Sequence, residues 1–174
     1  FNPFARHPTM MAMEIGALDE LSGGRTAISI GSGIGSAVEK IGGAAARPLV
    51  ALRETHAILA GMLRGETVEV EGERMTAKGV RLGYAARPDI EIFVAGRGDL
   101  TLKFSGAAAD GLIVSNMCSR GYSARAHAIA AEARAEAGRE GPPVLVQYMP
   151  AAVRADRDEA LALAKRAVGG LLPN

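Results

Sequence analysis

Four short stretches of the chain are apolar almost without interruption: residues 26–31 (TAISIG), 91–96 (EIFVAG), 111–116 (GLIVSN) and 144–153 (VLVQYMPAAV). A strand with one wet face alternates, and a strand covered on both faces does not, so this pattern predicts buried parallel strands. Segments of helical spacing or composition follow them, at 48–64, 99–109, 122–137 and 156–168. Strand then helix, repeated, is the grammar of an α/β domain. A further helix is expected from Pro8 to the Gly23-Gly24 pair, just as the one from Pro48 stops at Gly65. Proline suits a first helical turn, whose N–H groups lack partners, and glycine accepts the left-handed conformation that ends a helix.

Residues 66–84 break the rhythm. They alternate polar and apolar and turn at Glu71-Gly72, which predicts a small two-faced hairpin inserted between a helix and the next strand. Such an insertion is expected to decorate the core, with Glu66, Glu69, Glu71 and Glu73 as its solvated face. Residues 1–174 show no internal repeat or linker and read as one domain.

Composition narrows the partners. At 174 residues and 48% hydrophobic the chain is long and apolar enough to bury a core. A net charge of +1 supplies no field for a nucleic-acid backbone or an anionic membrane, so neither is an expected partner. No apolar run approaches the roughly 18 residues of a membrane span, and no secretory leader opens the sequence; a cytoplasmic protein is expected. The single Cys118 cannot form an internal disulfide, and His7, His56 and His127 are not spaced as metal ligands, so no metal site is expected. The loop-like opening FNPFARHP and the apolar close GGLLPN read as the ends of an internal piece of a longer protein.

Candidate chemistry gathers at strand ends. Gly31, Ser32 and Gly33 follow the first strand. The dinucleotide fingerprint G-x-G-x-x-G is not met: Ser36 holds the third position, the next helix is expected only at Pro48, and no acidic residue follows a second strand at the right distance. What remains is either a tight turn or a place where main chain approaches a flat or phosphorylated ligand. The second cluster, Gly96, Arg97, Gly98 and Thr101, runs from a buried strand straight into a helix. Converging N–H groups and the positive helix start make an anion cradle there, with Arg97 and Thr101 as further donors. Asp99 opposes that reading, as a repelling carboxylate or a helix cap. Asn116, ending the third strand, is a candidate ligand contact because polar groups at the C-terminal ends of parallel strands face the crevice.

Other polar groups read as structure. His56 lies with Leu49, Leu52, Leu59 and Leu63 on one helical stripe and is a core or boundary histidine. His7 is placed to cap a helix and Asn2 to order a loop. Lys40, Lys78, Lys103 and Lys165 all fall away from strand ends, against a Schiff-base barrel lyase.

The strings NPFARHP (2–8), LDELSGGR (18–25), IGSG (30–33), RPLVALRE (47–54), AGRG (95–98) and ADGLI (109–113) together resemble the luciferase-like flavin-dependent oxidoreductases. The pattern is most similar to the branch of methylenetetrahydromethanopterin reductase-like, deazaflavin-using enzymes. The resemblance implies a (β/α)8 TIM barrel, of which this chain holds the end of the third strand through the seventh strand and its helix. It also implies a cofactor, FMN or the deazaflavin coenzyme F420, and a homo-oligomer. Gly31, Ser32 and Gly33 would line that cofactor, and Gly96, Arg97, Gly98 and Thr101 would hold its phosphate. The family often has a Pro-Lys or similar pair where this chain has Asp99-Leu100. The implied activity is hydride transfer to or from a small organic substrate, or monooxygenation with FMN; the alternative is a non-catalytic flavin-binding paralogue. No catalytic residue is assignable in this stretch.

Overall fold

The structure, a computed structural model, describes residues 1–170; residues 171–174, at the end of the apolar tail, lie outside the description. Helix α1 (Pro8–Ser22) starts where expected, with the His7 side chain accepting the Thr9 N–H, and closes on Gly23 at φ 70°. Strand β1 (Ala27–Gly31) then enters the sheet, and a short helix α2 (Gly35–Lys40) precedes α3 (Pro48–Leu63). The hairpin β2 (Val68–Glu71) and β3 (Thr76–Val80) leads to β4 (Glu91–Ala95) and α4 (Asp99–Ala108). Strand β5 (Gly111–Val114), α5 (Arg120–Glu136), β6 (Val144–Gln147) and α6 (Arg157–Gly169) complete the described chain.

The main sheet has four strands in the order β1-β4-β5-β6, all pairs parallel. Each strand is laid beside the previous one in the same direction, with no reversal of order. That is how a barrel wall is built, and it lacks the switch point of an open dinucleotide-binding sheet. The register sets Gly31 opposite Ala95 and Ala95 opposite Ile113, so the strand ends and the turns after them share one rim. On the side of β1 away from β4, the Phe1 nitrogen donates to the Ser29 carbonyl and Gly31 N–H donates to Phe1 O at 2.9 Å, one step of a parallel ladder around Ile30.

Three expectations need correction. Helix α2 begins at Gly35, well before Pro48, because Ser36-Ala-Val-Glu-Lys supplies ordinary helix formers after the glycine turn. The dinucleotide reading still fails on Ser36, on the missing acidic residue and on the strand order. The last strand stops at Gln147 and does not reach Val153: Pro150 has no N–H for a ladder, and Tyr148 and Met149 are 61% and 79% exposed. It is also not covered on both faces, since Val144 and Val146 on this edge strand remain 47% and 37% exposed. Strand β4, by contrast, buries Ile92, Phe93 and Val94 in succession, as a central parallel strand should.

Apolar residues of α1, α3, β1 and β4 form the larger core, around Met11, Ile15, Ile28, Ile30, Leu52, Ile58 and Leu59. The hairpin contributes Val68, Met75 and Ala77 to that core, more than decoration. Glu54 of α3 fastens its loop, accepting the N–H groups of Glu73, Arg74 and Met75 at 2.7–2.8 Å. The four hairpin glutamates are exposed, as expected. A second cluster joins Leu102 of α4 to Leu112 and Val114 of β5 and to Ala126 and Ala130 of α5. Below the sheet, buried Asp19 accepts two hydrogen bonds from Arg87 and one from Thr26 N–H, clasping α1 to β1 and to the approach to β4.

Candidate functional site

The two glycine turns meet. Gly31, Ser32, Gly33 and Ile34 at the end of β1 face Ala95, Gly96 and Arg97 at the end of β4 across a cleft of about 450 Å³, closed by Ile113, Ser115 and Tyr148. The cleft lies at the C-terminal ends of the parallel strands, where barrels of this construction place their ligands. Gly31 permits the close approach, because a β-carbon there would stand 3.1 Å from the Ala95 methyl. Gly33 needs its left-handed φ of 70°, and a side chain there would strike the Asn2 amide. Asn2 is itself held in place, with its Oδ1 accepting the Phe4 N–H at 2.9 Å.

At the second turn, a β-carbon on Gly96 would run into the Thr101 side chain, which packs back over the turn. Gly98 is the N-cap of α4 at φ −80° and ψ 145°; among the described residues there is no side-chain cap, and a β-carbon on it would meet nothing within 4 Å. An open helix start of this kind presents unpaired N–H groups and the positive end of the helix dipole to an anion.

Helix α5 braces this turn. The Tyr122 hydroxyl donates to the Arg97 carbonyl at 2.8 Å, and Arg125 donates to the Asp99 carboxylate at 2.6 Å. Arg125 holds the Asp99 carboxyl below its ordinary range, and Asp99 in turn raises Arg125. Asp99 is thus the first helical residue and an ion-pair partner; the cap is Gly98.

Of the residues singled out in the sequence, Gly31, Ser32, Gly33, Gly96 and Arg97 line the cleft together. Gly98 and Thr101 adjoin it at the start of α4, Thr101 N–H donating to Gly98 O at 2.9 Å. Asn116 stands one residue beyond the lining and accepts the Ser115 hydroxyl at 3.1 Å; Ser115, its neighbour, is the residue in the cleft. Tyr148 is the first residue past the end of β6, and the apolar run that continues through it conceals that strand end in the sequence. Tyr122 and Arg125 carried no local sign, since their role arises only from the crossing of α4 and α5.

A recess of about 380 Å³ opens at the opposite ends of the strands, lined by His56, Asp110, Arg134 and Arg139 among others. Its polar groups are tied into the frame. Asp110 accepts the Ile92 N–H at 2.8 Å and pairs with Arg139 at 3.1 Å, and Arg134 donates to the Ala109 carbonyl. His56 packs edge-on against Phe104 with ring centroids 5.7 Å apart, and burial lowers its pKa to about 4. This is the end that holds a barrel together. Among the described residues no helix is long and apolar enough to cross a membrane.

A parallel wall of this order with its cleft at the carboxyl rim is an arc of a TIM barrel. The sequence model of the luciferase-like monooxygenase family matches residues 1–172, and the chain belongs to that family. It is 30% identical over 161 residues to the 5,10-methylenetetrahydromethanopterin reductase of Methanolobus tindarius, covering 92% of this chain and 48% of the relative. The enzyme of the same name from Archaeoglobus fulgidus is 29% identical over 160 residues, with 91% and 48% covered. Among solved structures, the coenzyme F420-dependent tetrahydromethanopterin reductase from Methanopyrus kandleri superposes with a TM-score of 0.86 at 27% identity, over 98% of this chain and 54% of that one. The chain spans about half the length of the curated relatives it matches.

Proposed function

We propose that this chain forms the cofactor-holding wall of an oxidoreductase that moves a hydride between a bound flavin or deazaflavin and a small organic substrate. The observation that carries the reading is the meeting of the β1 and β4 glycine turns at one cleft on the carboxyl rim. Gly31, Ser32 and Gly33 offer main chain at close range to a flat ring. Gly98 offers an amide, Arg97 a guanidinium and Thr101 a hydroxyl to its phosphate, with Gly96 leaving room for Thr101 to pack over the turn, while Ser115, beside Asn116 and just past β5, adds a polar group in the cleft. The residues fit such a group: the space over Gly98 that a β-carbon would fill is open, and the cleft beside it is of cofactor scale.

The bound cofactor supplies the hydride chemistry, and the protein supplies binding, orientation and electrostatics. Coenzyme F420, named for the Methanopyrus relative, is the favoured cofactor. FMN is the other, and with it the same frame serves a monooxygenase. Cytoplasmic location and homo-oligomeric assembly belong to the same proposal.

The test is to titrate the full-length protein separately with F420 and FMN and follow absorbance after gel filtration. Retention of one cofactor is the expected result. Retention of neither contradicts the proposal.

A further inference from the structure

Asp99 is an awkward residue to find at an anion cradle. A carboxylate at the first helical position, beside open amides, repels the phosphate that the cradle is shaped to take. The structure answers it from another helix: Arg125, one turn into α5, sits on Asp99 at 2.6 Å, and Tyr122, three residues earlier, fixes the Arg97 carbonyl at 2.8 Å. In a trans peptide the C=O and the following N–H point in opposite directions. The Tyr122 bond therefore turns the Gly98 N–H away from α5.

We infer that Arg125 and Tyr122 are positioning residues of the phosphate site: Arg125 cancels the Asp99 charge at the cradle, and Tyr122 sets the direction of its Gly98 amide. This rests on the flavin-phosphate reading above. Both members of the ion pair are about half exposed, so the pair adds little to folding, and its effect falls on the local field.

The experiment compares FMN with riboflavin, and F420 with its phosphate-free deazaflavin, binding to the full-length protein and to four variants. In Arg125→Gln the phosphate-bearing form of the bound cofactor weakens by about three- to tenfold, while the phosphate-free form is unchanged. Asp99→Asn/Arg125→Gln returns to within about twofold of wild type, because the charge that Arg125 offset is gone. Asp99→Asn alone binds at least as tightly as wild type. Tyr122→Phe keeps its apolar packing and also weakens only the phosphate-bearing form.

An Arg125→Gln variant that keeps the wild-type preference for phosphate overturns the inference. So does a double variant as weak as Arg125→Gln, which would make Arg125 a direct phosphate ligand. If wild type itself binds both forms alike, the phosphate-cradle reading fails first and the inference with it.

Discussion

Gly106 of α4 lies so close to the Ala130 carbonyl of α5 that a β-carbon on it has no place to go without moving backbone. The contact sets the spacing of the two helices, with Ala126 and Ala130 fully buried beside it. That spacing lets Tyr122 and Arg125 reach the turn after β4. Gly106→Ala is expected to destabilise the full-length protein by about 1–3 kcal/mol, read as a lowered Tm, through overpacking against a rigid neighbour. Cofactor affinity is expected to fall as well, because the brace moves with the helix.

The Thr55 hydroxyl is buried in α3 and has no hydrogen-bond partner among the described residues. Replacing it by an isosteric methyl removes a desolvation cost and leaves the packing in place. Thr55→Val is expected to hold stability or raise it, by roughly 0–1 kcal/mol. A clear loss in thermal or urea denaturation would mean that the hydroxyl has a partner.

His56 makes the fold sensitive to acid. Burial lowers its pKa from 6.5 to about 4, so between those values the unfolded chain binds a proton that the folded one refuses. Stability is full above about pH 6.5, falls as pH drops, and levels off near pH 4 for this group. The total is on the order of 3 kcal/mol as an upper bound. Tm measured from pH 7.5 down to pH 5 is expected to fall more steeply for wild type than for His56→Phe, which keeps the aromatic contact with Phe104 and cannot titrate.

Two glycines of one turn are expected to respond differently. Gly96→Ala collides with Thr101 and distorts the turn, lowering both stability and cofactor binding. Gly98→Ala meets open space at an accessible φ, so its folding cost stays within about 1 kcal/mol, the difference between glycine and alanine as helix caps. The added methyl occupies the cradle itself, and affinity for a phosphate-bearing flavin is expected to drop by about tenfold or more. Equal losses in affinity and Tm across the two variants would contradict this separation.

Sequence pattern revealed the parts whose cause is local. The uninterrupted apolar runs located all four parallel strands, and the strand-end glycines pointed to the turns that now face one another. Helix α2 leaves no signature in the pattern, because six residues are too few for a periodic stripe to emerge. The extent of β6 is not legible in the pattern, because a strand and the apolar loop after it read alike once Tyr148 and Met149 extend the run. Arg125 and Tyr122 were illegible for a different reason. They stand 26 and 25 residues from the groups they serve, Asp99 and the Arg97 carbonyl, and nothing in spacing announces which helix faces will cross.

The most direct measurement is a crystal structure of the full-length protein with its bound cofactor. The expected result sets the phosphate within hydrogen-bond distance of the main-chain amides at Gly98 and Asp99, with the ring edge along Gly31, Ser32 and Gly33. A phosphate held elsewhere, with the turn after β4 in contact with solvent alone, would contradict the role assigned to these two turns.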